Sequence, residues 1–330
     1  MVKAAIVGLG WWGKYIINSL APSNKVEIIM AVDVNADQSK NFAAEKNLPV
    51  TKDLDEALNN PDVEMMILAT PHSLHEEQII RCAEAGKQVF CEKPLCLTAA
   101  SAERAIVACQ KAGVNLGIGH ERRFEPALVE IKRMIDAGEL GTIMHVESNF
   151  SHDKLANVPA DDWRANPVDA PAAGMTGMGI HLTDAYLNMF GPIEELYAQT
   201  TRRVMANPSG DVVSVQVRFK SGALGFLNAI LVTPLFLRFQ VFGSDAWVEA
   251  RNETHPDTPG VTHLTVCKAG GTPETVTYDW IDSVRANFEC FADSLTGNGA
   301  YIFTNAQKLQ NVQVLEAICK SVADNAVVKI

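Results

Sequence analysis

The stretch Gly8-Leu9-Gly10-Trp11-Trp12-Gly13 restricts the fold more than any other part of the chain. It follows the apolar run 3–7 and opens a segment, 14–22, whose apolar residues recur at helical spacing and which stops at Pro22. GxGxxG alone carries little information, but between a strand and a helix each glycine has its own reason. Gly8 permits a tight turn, Gly10 lets the backbone approach a pyrophosphate, and Gly13 lets the helix pack closely on the strand. The free N–H groups and positive dipole end of that helix then face the phosphates. Asp33 ends the next apolar run about twenty residues further on, where a carboxylate bonds adenosine ribose hydroxyls. It would repel a 2′-phosphate, and no arginine follows closely. NAD is therefore expected over NADP, with Lys40 as the nearest basic residue. Of the two tryptophans, one is expected to pack under the loop and the other to border the nicotinamide cleft.

The pattern continues as strand, helix, strand. Apolar runs at 25–34, 64–71, 88–92 and 114–120 alternate with helical segments at 35–47, 73–87 and 98–113. Continuous apolar strands separated by helices describe a doubly wound parallel sheet covered on both faces. The rhythm changes after residue 121. Helices are expected at 125–140, 181–191, 283–297 and 304–325. Between them lie alternating stretches at 142–151, 211–222, 223–233, 236–250, 261–267 and 274–280, with a hairpin turn at Ser221-Gly222. This gives two domains: a doubly wound α/β domain over 1–121, and a second domain over 122–330 built on an antiparallel sheet that is apolar on one face.

Charge narrows the partners. The formal net charge of −11 argues against nucleic acid or an anionic membrane surface, but a pocket can still be locally basic. No apolar run reaches the length of a membrane span, and no signal-like segment is visible. The seven cysteines form no CxxC pair and read as reduced thiols of a cytoplasmic protein, with no metal site.

Ligands of such sheets bind beyond the carboxyl ends of the strands. Thr70-Pro71-His72, Glu92-Lys93-Pro94 and His120-Glu121-Arg122-Arg123 sit there. With these residues, the ordered set VGLGWWG (7–13), AVDVN (31–35), ATPHSLH (69–75), AGKQVFCEKPL (85–95), RRFEPAL (122–128), GELG (138–141), GMGIH (177–181) and SGALG (221–225) resembles the Gfo/Idh/MocA oxidoreductases over essentially the whole chain.

The resemblance implies that Lys93 is the lysine of the EKP motif, beside the hydroxyl or carbonyl being interconverted, with Pro94 after a cis bond that aims it. An ammonium there stabilises charge on oxygen or takes part in proton transfer. Glu92 would support the backbone or the nicotinamide side, and Thr70, Pro71, His75 and Arg122 would line the cofactor. His181 matches the family's proton-accepting histidine in D-x-G-x-H. The first position of that pattern is Gly177, not aspartate, which removes a carboxylate that commonly binds substrate. Asp162, Asp169 and Asp184 are candidates to replace it. Arg123, Trp163 and Arg164 are candidates to hold a sugar or a sugar acid, the arginines bidentately and the tryptophan by stacking.

The reading is an NAD-dependent dehydrogenase that oxidises a hydroxyl of a sugar, cyclitol or sugar acid, with Lys93 and His181 handling the proton. The alternatives are an NAD(P)H-dependent reductase of a keto-sugar or other carbonyl compound, a non-catalytic dinucleotide-binding sensor, and a hydrolase that recycles bound NAD. The resemblance further implies that 1–121 is an NAD(P)-binding Rossmann domain and 122–330 an α+β domain with a large, open, mainly antiparallel sheet for substrate binding and oligomerisation, that sheet commonly forming the subunit interface of a homodimer or homotetramer.

Overall fold

A computed structural model describes residues 1–159, 161–206 and 208–330, with the backbone but not the side chain of Gln38. The chain divides into two compact units, one of residues 1–121 and 284–309, the other of residues 122–283 and 310–330.

The first unit alternates strictly. In chain order it runs β1 (Val2–Val7), α1 (Trp11–Leu20), β2 (Val26–Val32), α2 (Ala36–Glu45), β3 (Val50–Thr51), α3 (Leu54–Leu58), β4 (Met65–Leu68), α4 (His75–Glu84), β5 (Gln88–Cys91), α5 (Ala99–Ala112) and β6 (Leu116–Ile118). The six strands are all parallel, in the order β3-β2-β1-β4-β5-β6. Ala4, Ile6, Met65, Ile67 and Phe90 are fully buried, as strands covered on both faces require. α5 starts on a reciprocal Thr98–Ser101 capping box and stops at Gly113, whose φ of +69° lies in the left-handed region. The short β3 and α3 are not legible in the sequence pattern.

The second unit contains α6 (Pro126–Asp136), β7 (Ile143–Ser151), α7 (Ile180–Phe190), β8 (Ile193–Thr201), β9 (Val212–Phe219), β10 (Leu224–Ile230), β11 (Phe236–Gly243), β12 (Ala246–Asn252), β13 (Val261–Lys268) and β14 (Glu274–Asp279). The chain then returns to the first unit through α8 (Ser283–Leu295), and ends with α9 (Asn305–Asp324) and β15 (Val328–Lys329). The nine strands of the second sheet run β14-β13-β12-β11-β7-β10-β9-β8-β15 and pair antiparallel everywhere except β7 with β10. Along β9 the buried residues Val213, Val215, Val217 and Phe219 alternate with more exposed ones, giving one apolar face.

Three details differ from the sequence expectation. The stretch 236–250 is two strands, because Ser244 and Asp245 turn the chain between β11 and β12. β8 was hidden between the helix at 181–191 and the strand at 211–222. Residues 284–309, read from sequence as part of the C-terminal domain, pack with the first unit instead. The physical reason is aromatic: Phe288 stacks on Phe90 at 3.8 Å between ring centres, and Phe291 meets it edge-on at 5.7 Å. A Cβ at Gly117 would lie 2.5 Å from Phe90 and 3.2 Å from Phe291, so only glycine admits this packing.

Candidate active site

In the first unit the glycine loop is built by contact. Gly8 has φ +97°, and a Cβ there would meet the Ala69 carbonyl oxygen at 2.4 Å. A Cβ at Gly13 would lie 1.9 Å from the Gly8 oxygen, so helix and turn are in van der Waals contact. Gly10 is different: nothing stands within 4 Å of the missing side chain, and no side chain caps α1 there. The open space over Gly10 and the uncapped helix start are what a pyrophosphate requires. Asp33 closes the loop from behind. Its Oδ2 accepts the Leu9 N–H at 2.6 Å and its Oδ1 accepts the Asn35 N–H at 2.7 Å, leaving a lone pair on each oxygen for a ribose. These residues fit a dinucleotide. Trp11 is exposed, whereas Trp12 is partly covered and stacks on Tyr15 at 5.0 Å.

At the ends of β4 and β5 the residues are tied to one another. Lys93–Pro94 is a cis peptide bond. His75 is fully buried, with Nδ1 2.8 Å from the Pro94 oxygen and Nε2 3.1 Å from the Thr70 oxygen. It therefore clamps the loop that carries Lys93 to the end of β4, a structural role. Thr70 is held in turn by Gln78 at 2.6 Å. Glu92 is buried over the backbone of Gly119, where a Cβ would lie 2.4 Å from its carboxylate. Burial raises its pKa, while Lys93, Trp12 and the Lys93 N–H act the other way. The indole Nε1 of Trp12 makes no hydrogen bond of good geometry, so its effect on Glu92 is one of proximity.

In the second unit the arginines tell the most. Arg122 pairs with Glu125 at 2.6 Å, both buried, and Glu125 also accepts from Asn252 at 3.3 Å. Arg123 grips Asp184 with two parallel bonds of 2.6 and 2.7 Å and reaches Asn188 at 3.3 Å. Arg164 pairs with Asp162 at 3.4 Å and lies over the Trp163 ring at 4.2 Å. Each guanidinium nominated for a sugar acid already carries a carboxylate of its own chain. The same pairs engage Asp162 and Asp184, two of the three acids that could have replaced the missing carboxylate; Asp169, the third, is buried.

His181 lies on α7, buried, with its ring 6.2 Å from that of Phe150. Gly177 lies in the single wide turn Met175–Gly179 just before α7, and a Cβ there would stand 3.2 Å from Leu155 Cδ1. An apolar side chain thus borders the position where the family pattern has aspartate. Arg122 lies over Phe150 at 5.0 Å, and sequence reasoning did not reach the two other rings around it, His255 at 5.5 Å and His152 at 5.6 Å. No motif marks them, since 150–152 and 255 come from separate strand ends.

The chain matches the model of an oxidoreductase family with an NAD-binding Rossmann fold over residues 2–120, and that of the GFO/IDH/MocA C-terminal domain over residues 128–249. It is 30% identical to a myo-inositol 2-dehydrogenase of Thermotoga maritima over 76% of this chain and 75% of the relative. It is 27% identical to a scyllo-inositol 2-dehydrogenase (NAD(+)) of Bacillus subtilis over 95% and 92% of the two chains. Among solved structures, levoglucosan dehydrogenase in complex with NADH and levoglucosan superposes with a TM-score of 0.87 at 20% identity, over 100% of this chain and 99% of the other. An aldose–aldose oxidoreductase of Caulobacter crescentus gives 0.89 at 24%, over 100% and 99%. At those identities the structures speak for the fold alone. With the glycine loop, Asp33 and the matched domains in place, the chain belongs to the GFO/IDH/MocA oxidoreductase family and its first unit is the NAD-binding domain.

Proposed function

We propose that the protein is an NAD-dependent dehydrogenase that oxidises a hydroxyl of an uncharged sugar or cyclitol. The observation that carries the choice of substrate is the buried internal pairing of Arg122 and Arg123, with Arg164 half-buried and held more loosely to Asp162. A sugar acid would need an uncommitted guanidinium, and drawing one out of a buried pair leaves a carboxylate uncompensated at a cost of about 3–5 kcal/mol. The inositol dehydrogenases among the relatives support the same class.

In this reading Lys93 donates a hydrogen bond to the reacting oxygen and steadies negative charge as it develops. His75 and Thr70 fix the loop that aims it. Neutral His181 takes the hydroxyl proton as the C–H bond breaks, and the C–O bond becomes a carbonyl. Bound NAD supplies the hydride acceptor. Run backwards, the same residues reduce a carbonyl, with His181 returning the proton.

The test follows nicotinamide absorbance with purified protein and NAD, over neutral aldoses and cyclitols beside the matching sugar acids. Turnover is expected with neutral members and should fall at least a hundredfold in Lys93→Ala. Turnover confined to the acids, or unchanged in Lys93→Ala, would sink the proposal.

A further inference from the structure

One cluster in the second unit has no part in the chemistry above. His255 lies in the loop between β12 and β13, with Nδ1 2.7 Å from Asp257 Oδ1. Asp257 also accepts from Lys154 at 2.7 Å and from the Thr258 hydroxyl at 2.7 Å. His152, at the end of β7, has its ring centre 5.0 Å from that of His255 at a steep angle. Its Nδ1 accepts the Lys154 N–H at 3.2 Å. Phe150 links both rings to His181. Lys154 precedes Leu155, whose methyl borders position 177, so one short loop joins the Asp257 pair to the site of the absent carboxylate.

The partners decide where the protons sit. A carboxylate cannot donate, so the short contact to Asp257 puts the proton of neutral His255 on Nδ1 and leaves Nε2 as an acceptor. The Asp257 N–H also approaches this Nδ1, at 3.3 Å, but the shorter charge-assisted bond prevails. In His152 the bond from Lys154 occupies Nδ1 as acceptor, so the proton is on Nε2. Among the described residues, neither Nε2 has a hydrogen-bond partner. One of the two neighbouring rings thus offers a donor and the other an acceptor, the complement of a hydroxyl group, which both gives and takes a hydrogen bond. Burial, followed by the neighbouring His255 and Lys154, pushes the His152 pKa down to about 4. Burial also lowers that of His255 against the pull of Asp257. Both rings stay neutral in neutral solution. No group of three or more His, Cys, Asp or Glu side chains among the described residues is placed to hold a metal ion.

We propose that His255, oriented by Asp257, forms with His152 a hydroxyl-binding station for the substrate and does the positioning that an aspartate at 177 would otherwise do. This rests on the neutral-polyol reading above. It makes His255 a specificity residue for a hydroxyl other than the one oxidised.

Three variants test it: His255→Leu, His255→Gln and Asp257→Asn. His255→Leu should raise KM for the active polyol about 10- to 100-fold, with kcat changed less than threefold, since a lost bond between neutral or charge-assisted groups is worth that much. His255→Gln should recover part of the loss. One monodeoxy analogue should show the same KM in parent and His255→Leu. An unchanged KM in a folded His255→Leu, or equal KM changes for every deoxy analogue, would overturn the assignment. Nitrogen NMR of the histidine rings in the NAD-bound protein, titrated with myo-inositol and levoglucosan, separates the two readings. If the parent reduces no NAD yet the His255 and His152 signals move, the station stands and the dehydrogenase reading falls. NAD reduction with those signals unmoved overturns the station alone, and silence in both removes both.

Discussion

Arg123 is the residue at which two physical readings part most sharply. Its Nε and Nη2 donate to the two oxygens of Asp184 at 2.7 and 2.6 Å, and the two side chains are 2% and 5% exposed. Arg123→Met removes the cation and leaves a buried carboxylate one turn from His181. Breaking such a pair from one side costs about 3–5 kcal/mol, whereas replacing both partners by apolar groups is often close to neutral. For a unit of this size each kcal/mol is about 2–4 °C, so the melting of the second unit should fall by roughly 10 °C. Adding Asp184→Leu should restore most of it, giving a coupling of at least about 2 kcal/mol in a double-mutant cycle. The assay is calorimetry with a urea series, read beside KM for neutral and acidic substrates. A loss below about 1 kcal/mol, together with a tenfold rise in KM for an acid, would refute the reasoning. The guanidinium would then be serving a ligand and not the fold.

Three further outcomes follow from the geometry. Asp33→Ala should weaken NAD binding about 10- to 100-fold, measured by calorimetric titration, because it removes both the ribose partner and the acceptor that holds the Leu9 N–H. Gly177→Asp should cost less than about 1.5 kcal/mol in a urea titration, since a Cβ there presses only on the flexible end of Leu155; a loss above about 3 kcal/mol would mean that the turn cannot give. The depressed His152 pKa has a defined sign. The unfolded chain takes up a proton near pH 6.5 and the folded chain only near 4, so no penalty exists above 6.5 and it grows as pH falls towards 4. After allowance for partial solvent screening we expect about 2 kcal/mol lost by pH 4, with His152→Gln flattening the profile; an equally steep profile in that variant would assign the loss to other groups.

The parallel half was legible because each of its signals is local. Periodicity, a glycine spacing and an acid at a strand end all lie within about thirty residues. What stayed hidden depends on partners far along the chain. Arg123 and Asp184 are 61 residues apart, so nothing near Arg123 announces that its charge is already matched. Residues 236–250 read as one run because Ser244-Asp245 lacks a glycine within the two-residue turn. The phenylalanines of α8 look like any helix core until Phe90 is found against them. A motif singles out Lys93 and His181 as candidates, but His255 and Asp257 sit in a proline-rich loop whose sequence has no recognised pattern.

The return of residues 284–309 to the first unit sets an order of events during synthesis. The last strand of the parallel sheet is made by residue 118 and pairs with β5 on one side, yet its outer edge lacks partners until Asn287, Tyr301 and Lys308 exist to bond Ile118 and Leu116. At about 5–20 residues per second, the nascent nucleotide-binding half waits on the order of ten to forty seconds before that edge is complete. A ribosome that stalls near residue 121 would therefore release a sticky fragment and not a small working domain, and the whole second sheet must be translated before the first can be finished.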